Sequence, residues 1–350
     1  MCNLVGYDVD TLLTMSWQQL TAPDDVPGDT EAIAELVAGR RESYRTRKRY
    51  LRADGRVIWC DESVGSLRRG EREAKHLVSQ IIDITEEVEA QDELARQGQR
   101  NRALAERLRA ELDSAARYVA SILPGDLPGP VHVTSRYLPS LEIGGDSYNY
   151  SWIRDDQLGD HLIVYLIDVS GHGVEPALVS MSVHNLLRSG SLSRTTLLSP
   201  DRVLAELNRL FDMERHGGNY STIWYGVYQT STRTLSYASA GHPPAIALTG
   251  TTATLLPAQS MPLGMFGDAE FSTTVHPIPP GCQLLLYSDG AFEFTRADGR
   301  IHTLGEFLAL CSTTADDPDW SLDDLLGTLL QRTATGAFED DCALIRLHFD

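Results

Sequence analysis

The sequence predicts an α+β protein, and three observations carry that prediction. From residue 132 onward, strand-sized apolar runs follow one another without the regular strand–helix alternation of a doubly wound sheet. Residues 86–123 contain no proline and one glycine, Gly98, and are rich in Glu, Arg, Gln, Ala and Leu, the residues that favour helix. Ahead of them, two strand-like runs flank Ala53-Asp54-Gly55, and Asp-Gly between such runs signals a hairpin. The expected organisation is therefore three segments: 1–85, 86–123 and 124–350.

In the first segment the expected strands are 44–51, 56–65 and 75–82, the last running into Asp83-Ile84-Thr85-Glu86. The second reads as one long helix. Leu94, Leu104, Leu108, Ala115, Tyr118 and Ile122 fall near a 3.5-residue spacing, interrupted by Asn101 and Glu111, which predicts a parallel coiled coil and hence a homodimer. A single amphipathic helix lying on its own domain is the simpler alternative. Pro124-Gly125 and Pro128-Gly129-Pro130 end this helix. In the third segment strands are expected at 161–167, 222–228, 234–239, 282–287 and 342–348. Helices are expected at 174–188, 200–213, 304–310 and 322–330. Ser199 is the expected N-cap of the helix starting at Pro200, and Ser321 with Asp324 forms the expected capping pair of the last helix.

Composition removes several function classes. No apolar run is long enough to span a bilayer, and the N-terminus lacks the basic-then-apolar pattern of a secretory signal. The five cysteines are scattered without a CxxC pair, which argues against a zinc ribbon or a disulfide framework and for a reducing cytoplasm. A formal charge of −19 repels a phosphate backbone, so nucleic acid is not an expected partner. Most of the surplus carboxylates must be solvated surface. A few are not placed like surface residues.

Four aspartates sit beside small or polar residues at the edges of apolar strands: Asp146 in "IGGDSY", Asp168 in "LIVYLIDVSGHG", Asp289 in "QLLLYSDG" and Asp340 in "FEDDCALIRL". Carboxylates converging at strand ends cannot all stay ionised unless a cation neutralises them. Hard oxygen donors without accompanying histidines and cysteines select magnesium or manganese over zinc. Taken singly, Asp289-Gly290 reads as a turn and "EDD" as solvated surface; the ordered series is far more specific than its members.

That series resembles the SpoIIE-like branch of the PPM family, the metal-dependent serine/threonine protein phosphatases. The matching pieces are "EIGGDSYNY", "LIDVSGHGVEPAL", "YASAGHPPAI", "LLLYSDGAFE" and "FEDDCALIRL", with "ILPGDLP" ahead of them. The first segment resembles a PAS sensor domain through "LVGYDVDTLL", "RYLRADGRVIW" and "DITEEVEAQDEL". The first two strands of that fold would precede Asn3, so an incomplete sensor is expected. A GGDEF-type nucleotide cyclase shares only the Gly-Gly-Asp of the opening motif; it needs Glu-Phe where Ser147-Tyr148 stand.

The phosphatase resemblance implies two packed β-sheets with helices outside and two divalent cations, Mn2+ or Mg2+, at one end. It implies that Asp168 bridges them with the Val169 backbone carbonyl as a further ligand, that Asp289 and Asp340 hold the second ion, and that Asp146 supports the first. A water shared between the ions is then the nucleophile, with no phosphoenzyme. His172 is a candidate general acid or phosphate contact, although a structural loop role is favoured; His242 reads as structural in a rigid turn, and His161, His184 and His216 receive no role. The implied substrate is a phosphorylated regulatory protein of the anti-sigma-factor-antagonist type, with control by the sensor through the helix. Three departures stand out. Asn149 replaces a second aspartate, Ala343 replaces a threonine, and Glu175-Pro176 alters the start of a helix that tolerates proline there. Asn149 motivates the alternative of a non-catalytic binding module.

Overall fold

The computed structural model describes residues 1–67, 76–140, 143–157, 159–171, 173–213, 218–250, 252–258, 260–314 and 320–350. The chain divides into two compact units, Met1–Arg107 and Leu108–Asp350, and the division falls inside one long helix.

In the first unit, short helices α1 (Cys2–Val5), α2 (Val9–Thr14), α3 (Trp17–Leu20) and α4 (Val26–Val37) precede an antiparallel sheet. The sheet contains β1 (Ser43–Leu51), β2 (Val57–Leu67) and β3 (His76–Asp83) in that order. The expected hairpin forms, with Leu51 opposite Val57 and Gly55 at φ 82° in the loop. The four helices were not foreseen: α1, α2 and α3 have four to six residues, too few to show a 3.6-residue period, and the twelve-residue α4 opens on Val-Pro-Gly-Asp, which reads as a turn. Val5, Leu20, Tyr50, Ile58 and Cys60 form the main apolar cluster. Beside it, buried Lys48 pairs with both Asp29 and Glu62, and its ammonium lies 4.8 Å from the Tyr50 ring centre. Two opposite charges and an aromatic face compensate the lost hydration of that lysine.

Helix α5 spans Thr85–Ile122 without a break. Its seam residues Leu94, Leu104, Leu108 and Tyr118 are 68, 58, 56 and 69% exposed. Among the described residues no helix is long and apolar enough to cross a membrane.

In the second unit the elements run β4 (Val131–Leu138), β5 (Ser147–Ile153), β6 (His161–Val169), α6 (Val174–Arg188), α7 (Arg194–Leu197) and α8 (Pro200–Leu210). Then come β7 (Ser221–Gln229), β8 (Thr234–Ala240), β9 (Ala245–Thr249), β10 (Thr252–Leu256), β11 (Thr274–Pro277) and β12 (Gln283–Tyr287). Helices α9 (Leu304–Thr314) and α10 (Leu322–Arg332) precede β13 (Cys342–Phe349). Two five-stranded antiparallel sheets result, ordered β10-β9-β12-β13-β4 and β11-β8-β7-β6-β5. Their inner faces meet through Leu162, Val164, Leu166, Trp224, Tyr237, Leu284, Leu286, Ile345 and Leu347. Helices α9 and α10 cover the outer face of the first sheet, and α6 and α8 that of the second. The α+β expectation holds, as a four-layer sandwich.

Several expected boundaries move. Helix α8 stops at Leu210 rather than at 213, and α9 runs on to Thr314. Ser199 stands at the N-cap of α8 but does not cap it; its hydroxyl donates to the Thr195 carbonyl instead. Ser321 and Asp324 do form the reciprocal capping pair of α10. Strands β4, β5, β9, β10 and β11 were not read from the sequence. β5 is polar and aromatic (SYNYSWI), β4 and β11 pair with β13 and β8, which lie far off in the chain, and β9 and β10 are five-residue strands of a local hairpin.

Candidate active site

The period-two alternation of a strand decides where the aspartates point. In β6, Leu162, Val164 and Leu166 face the space between the sheets, whereas Ile163, Tyr165, Ile167 and Val169 face the helices. Asp168 is next in the inward phase. In β5, Tyr148 and Tyr150 point inward, so Asp146 belongs to the same phase. Extending the register Ser147↔Ile167 by one residue sets Asp146 beside Asp168. On the facing sheet, Ala343 and Ile345 point inward, which assigns Asp341 to that side as well. Asp289 follows β12 in a single 3-10 turn, Asp289–Ala291.

The electrostatics report the convergence. Burial, then the charges of Asp168 and Asp341, push the Asp146 carboxyl well above the ordinary carboxylate range. Burial followed by Asp289, Asp340 and Asp341 does the same to Asp168. Asp289 is pushed up to about 6 by burial, then by Asp340 and Glu293. Such mutual elevation is expected where several carboxylates share one region of low dielectric. All four aspartates singled out in the sequence are therefore neighbours. Among the described residues, however, no three acidic, histidine or cysteine side chains already stand as a closed ligand set.

Close backbone approaches complete the site. A Cβ on Gly145 would lie 2.8 Å from the Val169 carbonyl oxygen, and one on Gly290 would lie 2.2 Å from the Asp341 carbonyl oxygen. Only glycine permits these contacts. Ser288 is fully buried; its hydroxyl donates to the Asp341 carbonyl at 3.0 Å and accepts from the Ala343 amide at 2.9 Å. Ala343, where the resemblance has threonine, is buried in the sheet-to-sheet core.

Asp341 is the residue that sequence reasoning missed. Its Oδ2 accepts from the Gly145 amide at 2.6 Å, and its Oδ1 accepts from the Ser140 amide at 2.8 Å and the Ser140 hydroxyl at 3.1 Å. It ties the Gly144-Gly145-Asp146 loop to the start of β13. The doubled "DD" was the available signal, but sequence alone gives no ground for separating the exposed Asp340 from the buried Asp341.

Other candidates fall elsewhere. Asn149 lies on the opposite side of β5 from Asp146, beneath α6, where it contacts Tyr165 and shares a cavity with Leu187 and Arg188. Its substitution for aspartate thus alters packing under α6 rather than the inward-facing carboxylates. Pro176 is buried in the first turn of α6, as a first-turn proline can be. His242 is buried with Nδ1 at 3.0 Å from the Pro243 carbonyl. His184 packs edge-on to Tyr165, and His161 bonds the Gly159 carbonyl. His172 and His216 lie outside the described residues.

The donors present suit hard divalent cations. They are carboxylates and a backbone carbonyl, and Asp146 Oδ2 is buried with no hydrogen-bond partner, which a cation would supply. Five carboxyl groups crowded together need positive charge to ionise together.

Comparison with known proteins agrees with the fold. The family model described as Stage II sporulation protein E (SpoIIE) matches residues 159–350, more than half of the chain, and a PAS fold model matches residues 1–80. Phosphoserine phosphatase RsbP of Bacillus subtilis is 32% identical over 225 residues, 61% of this chain and 52% of RsbP. Phosphoserine phosphatase RsbU of the same organism is 25% identical over 202 residues, 57% of this chain and 58% of RsbU. The chain spans about half the length of these curated relatives. Among solved structures, the SiaA-PP2C domain of Pseudomonas aeruginosa superposes with a TM-score of 0.60 at 20% identity, over 71% of this chain and 98% of that one. The RsbU and RsbW domains of Rv1364c from Mycobacterium tuberculosis give 0.53 at 26% identity, over 64 and 61% of the two chains. With a SpoIIE model matching residues 159–350 and a PAS fold model ahead of it, the chain belongs to the SpoIIE family and is built on the PPM phosphatase fold.

Proposed function

We propose that this protein is a metal-dependent serine/threonine protein phosphatase. The observation that carries the reading is the meeting of Asp146, Asp168, Asp289 and Asp340 at one end of the sandwich, read from the charge each exerts on the others. In this reading Asp168, the Val169 carbonyl, Asp146, Asp289 and Asp340 would together hold two divalent cations, Mn2+ or Mg2+. Two such cations, when bound, neutralise phosphoryl oxygens and acidify water for in-line attack. The protein's own part is placement. Sheet register fixes Asp168, Gly145 lets the Val169 carbonyl approach, and Asp341 keeps the loop bearing Asp146 in position. No serine or cysteine nucleophile is required.

The proposed substrate is a phosphoserine or phosphothreonine on a partner protein. The names of RsbP and RsbU as phosphoserine phosphatases support that class, and the family resemblance supports an anti-sigma-factor antagonist. The full-length protein should hydrolyse p-nitrophenyl phosphate and a phosphorylated protein of that type in manganese, and lose both activities in EDTA. A folded protein that is inert with every divalent metal tried rejects the proposal.

For control we propose that the N-terminal unit acts through α5, paired with a second copy. Its seam leucines are exposed, and its last turns line a cavity of about 250 Å3 shared with Ile143 and Gly144 of the Asp146 loop. Light scattering should give a dimer mass for the wild type and a monomer mass for Leu104→Glu/Leu108→Glu. An unchanged mass removes the seam from the account.

A further inference from the structure

We infer that Ser288 is a positioning residue for the metal centre: its hydroxyl takes the place of a main-chain carbonyl in the last rung between β12 and β13, and so sets Asp289 against Asp340. The inference rests on the phosphatase reading and deepens it.

The rung itself shows the replacement. Tyr287 stands opposite Leu344 at the end of the paired run, so Ser288 falls opposite Ala343. In a hydrogen-bonded antiparallel pair, each residue's amide donates to the other's carbonyl. Half of that exchange is made, since the Ser288 amide donates to the Ala343 carbonyl at 3.1 Å. For the other half, the Ala343 amide donates to the Ser288 hydroxyl at 2.9 Å. The Ser288 carbonyl is thereby released, and it accepts from the Ala291 amide at 3.2 Å. That bond closes the turn Asp289–Ala291. Strand and turn would otherwise compete for one carbonyl. With the side chain serving the strand, the chain leaves the sheet at a fixed point, and Asp289 comes first in the turn.

The same hydroxyl reaches the facing acidic pair. Its proton goes to the Asp341 carbonyl at 3.0 Å, the oxygen against which Gly290 packs. Asp341 in turn gives its amide to Asp340 Oδ1 at 2.8 Å. One oxygen therefore holds both the turn bearing Asp289 and the backbone that orients Asp340. It also favours the ionised form of Asp146 against the burial and neighbouring charges that oppose it.

Ser288 is fully buried, so bulk water does not replace a lost hydroxyl. Its removal would leave the Ala343 amide and the Asp341 carbonyl unpaired, which is costly in a buried place. The Ala343 amide would then draw on the Ser288 carbonyl, and the turn bearing Asp289 would loosen. Groups that orient metal-binding side chains change affinity about 10- to 100-fold when removed. Ser288 acts through Asp289 and Asp340 and needs no contact with substrate.

The test is manganese binding to the full-length protein by calorimetry, with p-nitrophenyl phosphate turnover measured across manganese concentrations beside it. Ser288→Ala should weaken manganese binding at least tenfold and raise the half-activating concentration by a similar factor. Ser135→Ala removes another buried hydroxyl of the sandwich, one bonded to the Tyr150 hydroxyl at 3.1 Å. It should lower the thermal midpoint and leave manganese affinity unchanged. Affinity in Ser288→Ala within about threefold of wild type overturns the assignment, as does an equal loss in Ser135→Ala. Should Ser288→Ala not fold, Ser288→Cys, similar in shape but a weak donor, carries the same expectation. Wild-type protein that binds manganese through Ser288 but hydrolyses no ester overturns the phosphatase reading and leaves Ser288 in its role. Wild-type protein that binds no manganese overturns both.

Discussion

Replacing Asp168 with asparagine should lower kcat by about a thousandfold or more while leaving the fold intact. Asparagine matches aspartate in shape but carries no charge. Asp168 ends the inward row of β6, its backbone held opposite Thr222 by the β6–β7 register, so the substitution leaves the strand in place. What disappears is a carboxylate whose charge is felt by Asp146 and which itself feels Asp289, Asp340 and Asp341. The cations this carboxylate would help to hold supply several kcal/mol of charge stabilisation in the transition state, and about 1.4 kcal/mol corresponds to tenfold in rate. The thermal midpoint in EDTA should stay level or rise, because a like charge has been removed from a crowded region. Turnover of p-nitrophenyl phosphate within tenfold of wild type would falsify the metal assignment.

The second large effect is an inverted dependence of stability on pH in the metal-stripped protein. Asp289 has a folded-state pKa of about 6 against 3.8 for the free side chain, and Asp146 and Asp168 are also raised. A carboxyl that binds its proton more tightly when folded stabilises the fold below the unfolded value, and that stabilisation is lost as pH rises through the folded value. The window for Asp289 is therefore from about pH 4 to just above pH 6. Its contribution, discounted for partial exposure, is on the order of 2 kcal/mol. For a unit of this size that corresponds to roughly 5 °C in thermal midpoint. In EDTA the full-length protein should melt lower at pH 7.5 than at pH 5, and Asp289→Asn should flatten the slope. Saturating manganese should reverse the trend, since cations take ionised carboxylates. A midpoint in EDTA that climbs from pH 5 to 7.5 contradicts the crowded-carboxylate account.

Much of the chemistry was legible before folding because it is written locally. Asp146, Asp168, Asp289 and Asp340 each stand next to an apolar run or a glycine turn, and their order along the chain carried the resemblance. Strand β6 was readable because all but one of its residues are deeply buried, whereas β5, with SYNYSWI, offered no apolar run. The α8 cap misled for a simple reason. Ser199 has the right identity, but its hydroxyl found a nearer carbonyl in the preceding turn.

The sequence by itself determined the aspartates, the glycines that admit close backbone, and the period-two rows that give each strand an inner and an outer face. Only the tertiary structure decided that Asp341 ties a loop 196 residues away, that Asn149 belongs to the α6 side, and that the Ser288 hydroxyl bonds Asp341 and Ala343. The physical reason is range. Alternation is set by each residue's own backbone, but which rows meet depends on pairing between strands such as β12 and β13, whose register no local preference encodes.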